Sequence, residues 1–356
     1  MQLCTICSLK LIKKNKRDFG QIIIMLIKKI QNSWYQKSSL TVFLLPLSWL
    51  FCLLVQIRRI LYRIKIFHTT HLDVPVIVVG NITVGGTGKT PLVIELANTL
   101  KEQGYRPGII SRGYGGKART WPQQVRWDGD PTMVGDEAIL IARRTRCPMA
   151  VGANRVAAAK ALLEYTDCNV IISDDGLQHY ALGRDIEVAV IDGIRRFGNE
   201  KCLPAGPLRE PVKRLEQVHF KITNGIAGPE EFAMSYKTEK LHRADDPNVT
   251  LELSSLKNQT VHAIAGIGNP KQFFDQLIHE GLEIIEHPFP DHYPFKKSDL
   301  DFGEIQPILV TEKDAVKCQR FYLHNVWYLP IKAIVDKQFT EQLLQILENR
   351  NGQKTT

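Results

Sequence analysis

The segment GNITVGGTGKTPL, residues 80–92, ends in the Gly-Lys-Thr of a phosphate-binding loop. The Walker A pattern G-x-x-x-x-G-K-[ST] places its first glycine at position 83, where this chain has a threonine. We interpret Thr83 as changing the entry to the loop while leaving its backbone N–H groups able to surround a phosphate. The residues assigned to nucleotide binding are Thr83, Val84, Gly85, Gly86, Thr87, Gly88, Lys89 and Thr90.

The segments on either side of this loop support its assignment. The apolar, β-branched run VPVIVVG precedes it, and TPLVIELANTLKEQG follows with leucines spaced along one helical face. Strand, glycine-rich loop and helix are the context that a P-loop requires. In that context Lys89 can reach the β- and γ-phosphates, and the Thr90 hydroxyl can hold Mg²⁺. The alternative is a glycine-rich turn without a ligand, which the Gly-Lys-Thr ending disfavours.

A second motif, NVIISDDG, ends a short apolar run in Asp174 and Asp175. This is the Walker B form, in which a carboxylate at the end of a strand faces the P-loop and holds Mg²⁺ directly or through water. An aspartate at a strand-to-loop turn is also common without any metal. The P-loop about ninety residues upstream makes metal binding the better interpretation.

Short strands that alternate with helices predict a parallel α/β sheet. The runs PGIIS, NVIISDD and IEVAVID are predicted strands, and residues 137–144 and 155–165 are predicted helices. We expect a P-loop NTPase-like parallel-sheet domain and a smaller α/β domain, with an N-terminal membrane-associated helix. The predicted boundaries are 1–73 for the anchoring segment, 74–228 for the nucleotide-binding and catalytic domain, 229–260 for a linker and 261–356 for the second domain.

The positive charge of the chain belongs to its N-terminal segment. Residues 1–73 carry 12 Lys and Arg and two acidic residues, whereas the remainder carries 34 basic and 35 acidic residues. A nucleic-acid-binding protein should instead carry a basic stripe on its folded domain. We therefore expect no nucleic-acid partner.

The same N-terminal segment has the composition of a membrane anchor. Thr41–Val55 contains no charged residue, and QIRRILYRIKIF follows with its apolar and basic residues largely on different faces. At 15 residues the uncharged stretch would span ~22 Å as a helix, and Pro46 weakens a straight helix. Flanking cations favour an anionic membrane surface. The alternatives are a buried core helix and a cleaved signal peptide, although no A-x-A site follows. Met25 is a plausible alternative start.

Several longer motifs carry a family resemblance. They are, in chain order, GNITVGGTGKTP, SRGYGGK, GDEA, DDGLQHY, RRFGNEKCLPAGPLREP, AGIGNP and VTEKDAVK. Together they closely resemble the tetraacyldisaccharide 4′-kinases, the lipid A kinases, from about Leu40 to about Pro330. Ala138 stands where that family usually has proline, which we expect to affect a helix start more than the chemistry. On the residues alone, the absence of N-K-x-D after the P-loop already favours ATP over GTP.

The resemblance implies a function and an architecture. Members of this family transfer the γ-phosphate of ATP to the 4′-hydroxyl of a tetraacylated glucosamine disaccharide 1-phosphate. They work with Mg²⁺ at the cytoplasmic face of the inner membrane. Their fold has two α/β/α domains joined by a β-hairpin linker, and an N-terminal membrane helix.

The resemblance also implies site residues. Asp136 and His292 correspond to an Asp–His pair that takes the proton of the sugar hydroxyl. Without the resemblance, His292 would be interpreted as an exposed loop histidine beside Asp291. Asp174, Asp175 and Glu210 are the predicted metal-side carboxylates. Arg112, Gln178, His179 and Arg209 are either contacts to phosphates and sugar or structural residues.

Two other function classes remain as alternatives. One is a P-loop ATPase that acts as a membrane-bound assembly switch or metallochaperone and hydrolyses ATP without a lipid acceptor. The other is a nucleotide-binding membrane adaptor without catalysis. Neither of them needs the pair Asp136 and His292, so this pair discriminates among the three.

Overall fold

A computed structural model of the chain describes residues 25–36, 38–303 and 306–352. The described residues form two compact units. The anchor unit is drawn from Met1–Ile66, Ile82–Val84 and Arg195–Gln217, and the sheet unit from Phe67–Asn81, Gly85–Ile194 and Val218–Thr356.

The anchor unit is built around one long helix, α1 (Ser39–Arg63). The Ser38 side chain caps its first turn by accepting a hydrogen bond from the Leu40 N–H at 3.3 Å. The helix runs through Pro46 without ending and continues past the uncharged stretch Thr41–Val55 to Arg63. Proline removes only one intrahelical hydrogen bond. At 1.5 Å per residue, 25 residues span ~37 Å.

The first sheet of the sheet unit has nine strands in the order β15-β8-β7-β6-β1-β5-β2-β4-β3. All neighbouring pairs are parallel except the two edge pairs, β15 with β8 and β3 with β4. Its central strands are fully buried because helices cover both faces of a parallel sheet. The strands are β1 (Val76–Gly80), β2 (Pro107–Ser111), β3 (Gln123–Gln124), β4 (Met149–Val151), β5 (Val170–Asp174), β6 (Ile186–Asp192), β7 (Phe220–Asn224), β8 (Phe232–Thr238) and β15 (Ile331–Val335).

The second sheet has six strands in the order β10-β9-β14-β13-β11-β12. Its four strands β11 to β14 run parallel, and β9 and β10 pair antiparallel at one edge. The strands are β9 (Leu241–Arg243), β10 (Thr250–Leu251), β11 (Thr260–Ala265), β12 (Glu283–Pro288), β13 (Ile308–Thr311) and β14 (Val326–Leu329). The α/β class predicted from the sequence is confirmed by these two sheets and their helices.

Seven helices of the sheet unit follow the strands. They are α2 (Lys89–Glu102), α3 (Pro131–Val134), α4 (Asp136–Thr145), α5 (Arg155–Tyr165), α6 (Pro270–His279), α7 (Glu312–Cys318) and α8 (Lys337–Gly352). Helix α8 buries Phe339, Leu343 and Leu347 in the core of the first sheet.

The observed strand pairing differs from the predicted domain boundaries. The predicted linker 229–260 contains β8 of the first sheet and β9 and β10 of the second. The last strand of the predicted second domain 261–356, β15, belongs to the first sheet, where it pairs antiparallel with β8. The chain therefore leaves the first sheet through β8 and returns through β15.

Candidate active site

The nucleotide loop connects β1 to α2 through two glycines with positive φ, Gly85 at 105° and Gly88 at 95°. A side chain at Gly88 would also collide with the Tyr236 hydroxyl, which lies 2.2 Å from the position of an added Cβ. Inside the loop the Asn81 amide donates to the Thr87 hydroxyl at 3.2 Å. Gly85 and Gly86 are exposed, so the N–H groups of this turn are accessible to an anion.

Carboxylates lie beside this loop at the end of β5. The Lys89 ammonium is 3.5 Å from an Asp175 oxygen. Asp174 is buried, and its Oδ2 accepts a hydrogen bond from the Ser111 hydroxyl at 3.1 Å. Burial, followed by the charges of Glu137 and Asp175, raises the pKa of Asp174 to about 7. The arrangement concentrates negative charge next to a P-loop lysine.

Asp136 is the first residue of α4 and is buried. The turn before it depends on Gly135, whose φ is 98° and whose added Cβ would lie 2.5 Å from the Tyr114 carbonyl oxygen. Burial acts to raise the pKa of Asp136. The hydrogen bond from His292 and the charges of Lys313, His292 and Lys317 outweigh it and lower this pKa to about 2. Asp136 is therefore a carboxylate at neutral pH.

His292 comes from the loop after β12 and faces Asp136 across 156 positions of sequence. Its Nδ1 is 3.1 Å from each carboxylate oxygen of Asp136. The hydrogen bond to Asp136 raises the pKa of His292, against the opposing effects of burial and of the Lys313 charge. The Tyr114 ring lies 5.1 Å from the His292 ring. The structure thus brings together the two residues that the resemblance paired.

Two lysines of α7 complete this cluster. The Lys313 ammonium is 2.8 Å from Glu137 Oε1 and 3.4 Å from His292 Nε2. The Lys317 ammonium is 3.7 Å from Asp136 Oδ2 and 2.6 Å from the buried Asp314. The cluster therefore places two cations beside the pair formed by buried Asp136 and half-buried His292.

Comparison with known proteins identifies the family. The sequence model of the tetraacyldisaccharide-1-P 4′-kinase family matches residues 40–348. The chain belongs to this family. It is 54% identical over 321 residues to a tetraacyldisaccharide 4′-kinase of Nitrosococcus oceani, covering 90% of this chain and 95% of the relative. It is 49% identical over 319 residues to that of Methylobacillus flagellatus, covering 88% and 94%.

A solved structure agrees with the assignment. The apo form of LpxK from Aquifex aeolicus, crystallised in complex with ATP, superposes with a TM-score of 0.74 at 29% sequence identity. The match covers 86% of this chain and 99% of the LpxK chain. The resemblance, the fold and the kinase class predicted from the sequence are confirmed.

The predicted substrate residues of this kinase occupy different environments. The Gln178 amide donates to the Asn81 carbonyl at 3.0 Å, so it supports the P-loop. The Arg184 guanidinium donates a hydrogen bond to the His179 backbone carbonyl. Arg112 is exposed just after β2. Their predicted contacts to phosphate or sugar stay predictions.

Glu210 and Arg209 belong to the anchor unit. The Arg209 N–H donates to the Ile82 carbonyl at 2.6 Å. Glu210 is fully buried, with Arg59 of α1 at 3.8 Å and Arg214 at 4.0 Å. Two guanidinium groups thus neutralise Glu210 in this unit, and its predicted role on the metal side stays a prediction.

Sequence reasoning missed three charged residues of the site, namely Glu137, Lys313 and Lys317. A signal was present for the lysines, because TEKDAVK places two of them four positions apart, on one face of a helix. Glu137 was not predicted as a site residue, because the catalytic role in its motif was assigned to the adjacent Asp136. Its charge, beside Asp174, marks it as part of the same electrostatic cluster.

Proposed function

We propose that this chain is an ATP-dependent kinase that phosphorylates the 4′-hydroxyl of a tetraacylated glucosamine disaccharide 1-phosphate. The product is the lipid IVA-type intermediate of lipid A biosynthesis. Family membership over residues 40–348 supports the reaction class. The single observation that carries the chemistry is the hydrogen-bonded pair Asp136–His292 in the same unit as the P-loop lysine.

Asp136 is the member of the pair that accepts the hydroxyl proton. A sugar hydroxyl is a weak nucleophile, and a positioned base assists its attack by typically ~10²–10⁴-fold. His292 Nε2 faces Lys313 at 3.4 Å and Asp291 at 3.7 Å, so it is not directed at a substrate. Asp136 is ionised at neutral pH and accepts the proton, while His292 orients its carboxylate through Nδ1.

The P-loop binds and orients ATP. Its backbone N–H groups enclose the β-phosphate, and Lys89 neutralises charge on the γ-phosphate as the phosphoryl group moves. In the present geometry Asp175 pairs with Lys89 at 3.5 Å. ATP phosphates would replace Asp175 as the main partner of this ammonium.

Mg²⁺ fits the carboxylates at the end of β5. Asp174 Oδ1 is buried and has no hydrogen-bond partner among the described residues, as expected of an oxygen that serves a cation. Thr90, Asp174 and Asp175 would hold the ion. Bound Mg²⁺ supplies charge neutralisation on the phosphates of ATP.

The lipid substrate requires contact with a membrane. Helix α1 is the one helix among the described residues that is long and apolar enough to cross a membrane. Its apolar side chains are largely exposed, Phe43 at 82% and Trp49 at 67%. We propose that the chain works at the cytoplasmic face of the inner membrane, where ATP is available, and that α1 attaches it there. The basic residues that flank α1 favour an anionic lipid surface.

The test is phosphoryl transfer from γ-labelled ATP by the full chain in mixed micelles. Labelled lipid product with the tetraacyl disaccharide 1-phosphate, and little ADP without it, supports the kinase. ADP release that is independent of the lipid contradicts the kinase and favours the ATPase switch. ATP binding without turnover in either condition favours the adaptor. The deacylated disaccharide in the same assay shows how far the acyl chains contribute.

A further inference from the structure

The short helix α7 carries two lysines toward the Asp136–His292 pair. Its start is fixed by Thr311, whose hydroxyl accepts from the Asp314 N–H at 3.1 Å and donates to the Asp314 carboxylate at 2.7 Å. Lys313 and Lys317 lie one helical turn apart, so they project from one face. The proposed reaction assigns neither of them a role.

Lys313 uses its three donors on three different partners. Its ammonium lies 2.8 Å from Glu137 Oε1, 3.2 Å from Asp291 Oδ1 and 3.4 Å from His292 Nε2. The side chain is only 14% exposed. Burial acts to lower its pKa, but the charges of Glu137, Asp136 and Asp291 outweigh burial and raise it above the ordinary value. Lys313 is therefore a fixed cation in the working pH range.

A fixed ammonium decides which ring nitrogen of His292 carries the proton. An ammonium has three N–H donors and no acceptor, whereas neutral imidazole has one donor and one acceptor nitrogen. Facing Lys313, Nε2 must offer its lone pair. The ring proton then lies on Nδ1, where the Asp136 carboxylate accepts it at 3.1 Å.

We propose that Lys313 is a positioning residue of this pair, which fixes neutral His292 as the tautomer with its proton on Nδ1. The inference rests on the proposed function in one respect, which is that Asp136 is the catalytic base oriented by this tautomer of His292. With the opposite tautomer, Nδ1 would present a lone pair to the carboxylate, and the two groups would repel. Lys313 thus fixes the Nδ1–H donor of His292 that orients the Asp136 carboxylate.

The charged groups around His292 give the sign of the pH effect. Asp136 faces it from α4, Asp291 adjoins it in its own loop, Lys313 faces it from α7, and the Tyr114 ring lies 5.1 Å from its ring. The two carboxylates raise the pKa of His292, and Lys313 lowers it. Removing the Lys313 charge therefore favours the imidazolium and moves its titration to higher pH.

Lys317 is a matched control on the same helix. It is a similarly covered lysine, 10% exposed against 14% for Lys313. It lies near Asp136 and Asp314 and, unlike Lys313, makes no contact with His292 in the described structure. Because the pKa of Asp136 is about 2, a change at Lys317 leaves Asp136 ionised in any assay above pH 5.

The direct measurement is the ¹⁵N imidazole spectrum of His292 in the full chain in detergent micelles, assigned with His292→Asn. At pH 8 the wild type should show a protonated Nδ1 and an unprotonated Nε2. In Lys313→Met the midpoint of the His292 titration should rise by about one pH unit or more. Lys313→Arg keeps a donor-only cation and should retain the wild-type spectrum, as should Lys317→Met.

The pH profile of phosphoryl transfer gives the second readout. The acid limb of kcat should move up by about one pH unit in Lys313→Met, with rate recovered at higher pH. A merely structural role would lower the rate at every pH. An Nε2–H tautomer in the wild type, or an unchanged titration in a folded Lys313→Met, would overturn the inference. The ¹⁵N spectra of His292 do not depend on turnover. They therefore test the role of Lys313 even if the assay shows that the chain is not a kinase.

Discussion

At the scale of single residues, the site is a balance between burial and charge. Asp136 is buried, which alone would favour its neutral form. His292 and two α7 lysines reverse that preference and lower its pKa to about 2. Asp174, also buried, lies beside Glu137 and Asp175, and its pKa rises to about 7. One site thus contains a carboxylate that is held ionised, Asp136, and another that a bound cation would stabilise in its ionised form, Asp174.

Lys89→Ala should reduce phosphoryl transfer by at least ~10²-fold, because it removes a preorganised charge at the γ-phosphate. The measurement is kcat with saturating ATP and lipid. Lys101→Ala is the control, since this lysine lies on the same helix and donates to the Thr145 carbonyl at 2.8 Å. Near-normal turnover in Lys89→Ala would contradict the P-loop assignment.

At the scale of elements, short turns position these residues. Asp136 begins α4 because Gly135 allows the preceding backbone a φ of 98°. His292 itself has a φ of 58°, a strained conformation for a non-glycine residue, held by N–H bonds to Gly266 O and Asp291 Oδ1. Strain of this kind persists only where the surroundings over-determine it. The pair therefore depends on two turns as much as on its side chains.

Gly135→Ala should lower kcat because an added Cβ lies 2.5 Å from the Tyr114 carbonyl and must displace the start of α4. Gly104→Ala is the matched control. Its φ is 80°, but nothing lies within 4 Å of its added Cβ. Gly104→Ala should lose about 1–2 kcal/mol of unfolding free energy from its positive φ. Gly135→Ala should lose more, because a φ of 98° with a ψ of 147° is a backbone conformation essentially restricted to glycine. Only Gly135→Ala should lose activity, and equal kcat values would refute this positional role.

The sequence predicted the elements whose residues adjoin in the chain, but it did not predict contacts between residues that are far apart in the chain. Strand, P-loop and helix adjoin in the chain, so β1, Lys89 and α2 could be assigned from spacing alone. Asp136 and His292 are 156 positions apart, and only the family resemblance joined them. The α7 lysines went unassigned because their partners are known only once the strands are placed. Strand β8 was missed within a polar segment, although Phe232, Met234 and Tyr236 alternate with period two.

At the scale of the whole molecule, α1 is part of a folded unit and not a free tail. The Trp34 indole donates to the Pro204 carbonyl at 2.9 Å, and the Ser48 hydroxyl donates to the Cys202 carbonyl at 2.7 Å. Arg59 of the same helix pairs with buried Glu210 at 3.8 Å. Deleting residues 1–73 would leave these groups without partners. Membrane binding is therefore better tested with surface substitutions than with the truncation.

Replacing three exposed apolar residues on one face of α1 should release the chain from membranes. Phe43→Ser, Leu50→Ser and Leu54→Ser remove side chains that are 82%, 52% and 57% exposed. Burying a side chain of this size contributes about 1.5–3 kcal/mol, so vesicle affinity should fall at least tenfold.

The control carries Tyr165→Ser and Ile226→Ser, which are exposed at 79% and 89% outside α1. Flotation with anionic vesicles measures the affinity, and nucleotide binding reports folding. Unchanged flotation of the α1 variant would mean that another surface binds the bilayer.

The most direct test is the double-mutant cycle of Asp136→Ala and His292→Ala, with kcat for transfer from γ-labelled ATP to the disaccharide lipid. Asp136→Ala should lose about 10²–10⁴-fold while ATP still binds, because the base is gone and the P-loop is intact. If the pair acts as one unit, the double variant should be little slower than the slower single variant. Losses that multiply independently would contradict the account, as would an Asp136→Ala variant with weakened ATP binding and an unchanged kcat at saturating ATP.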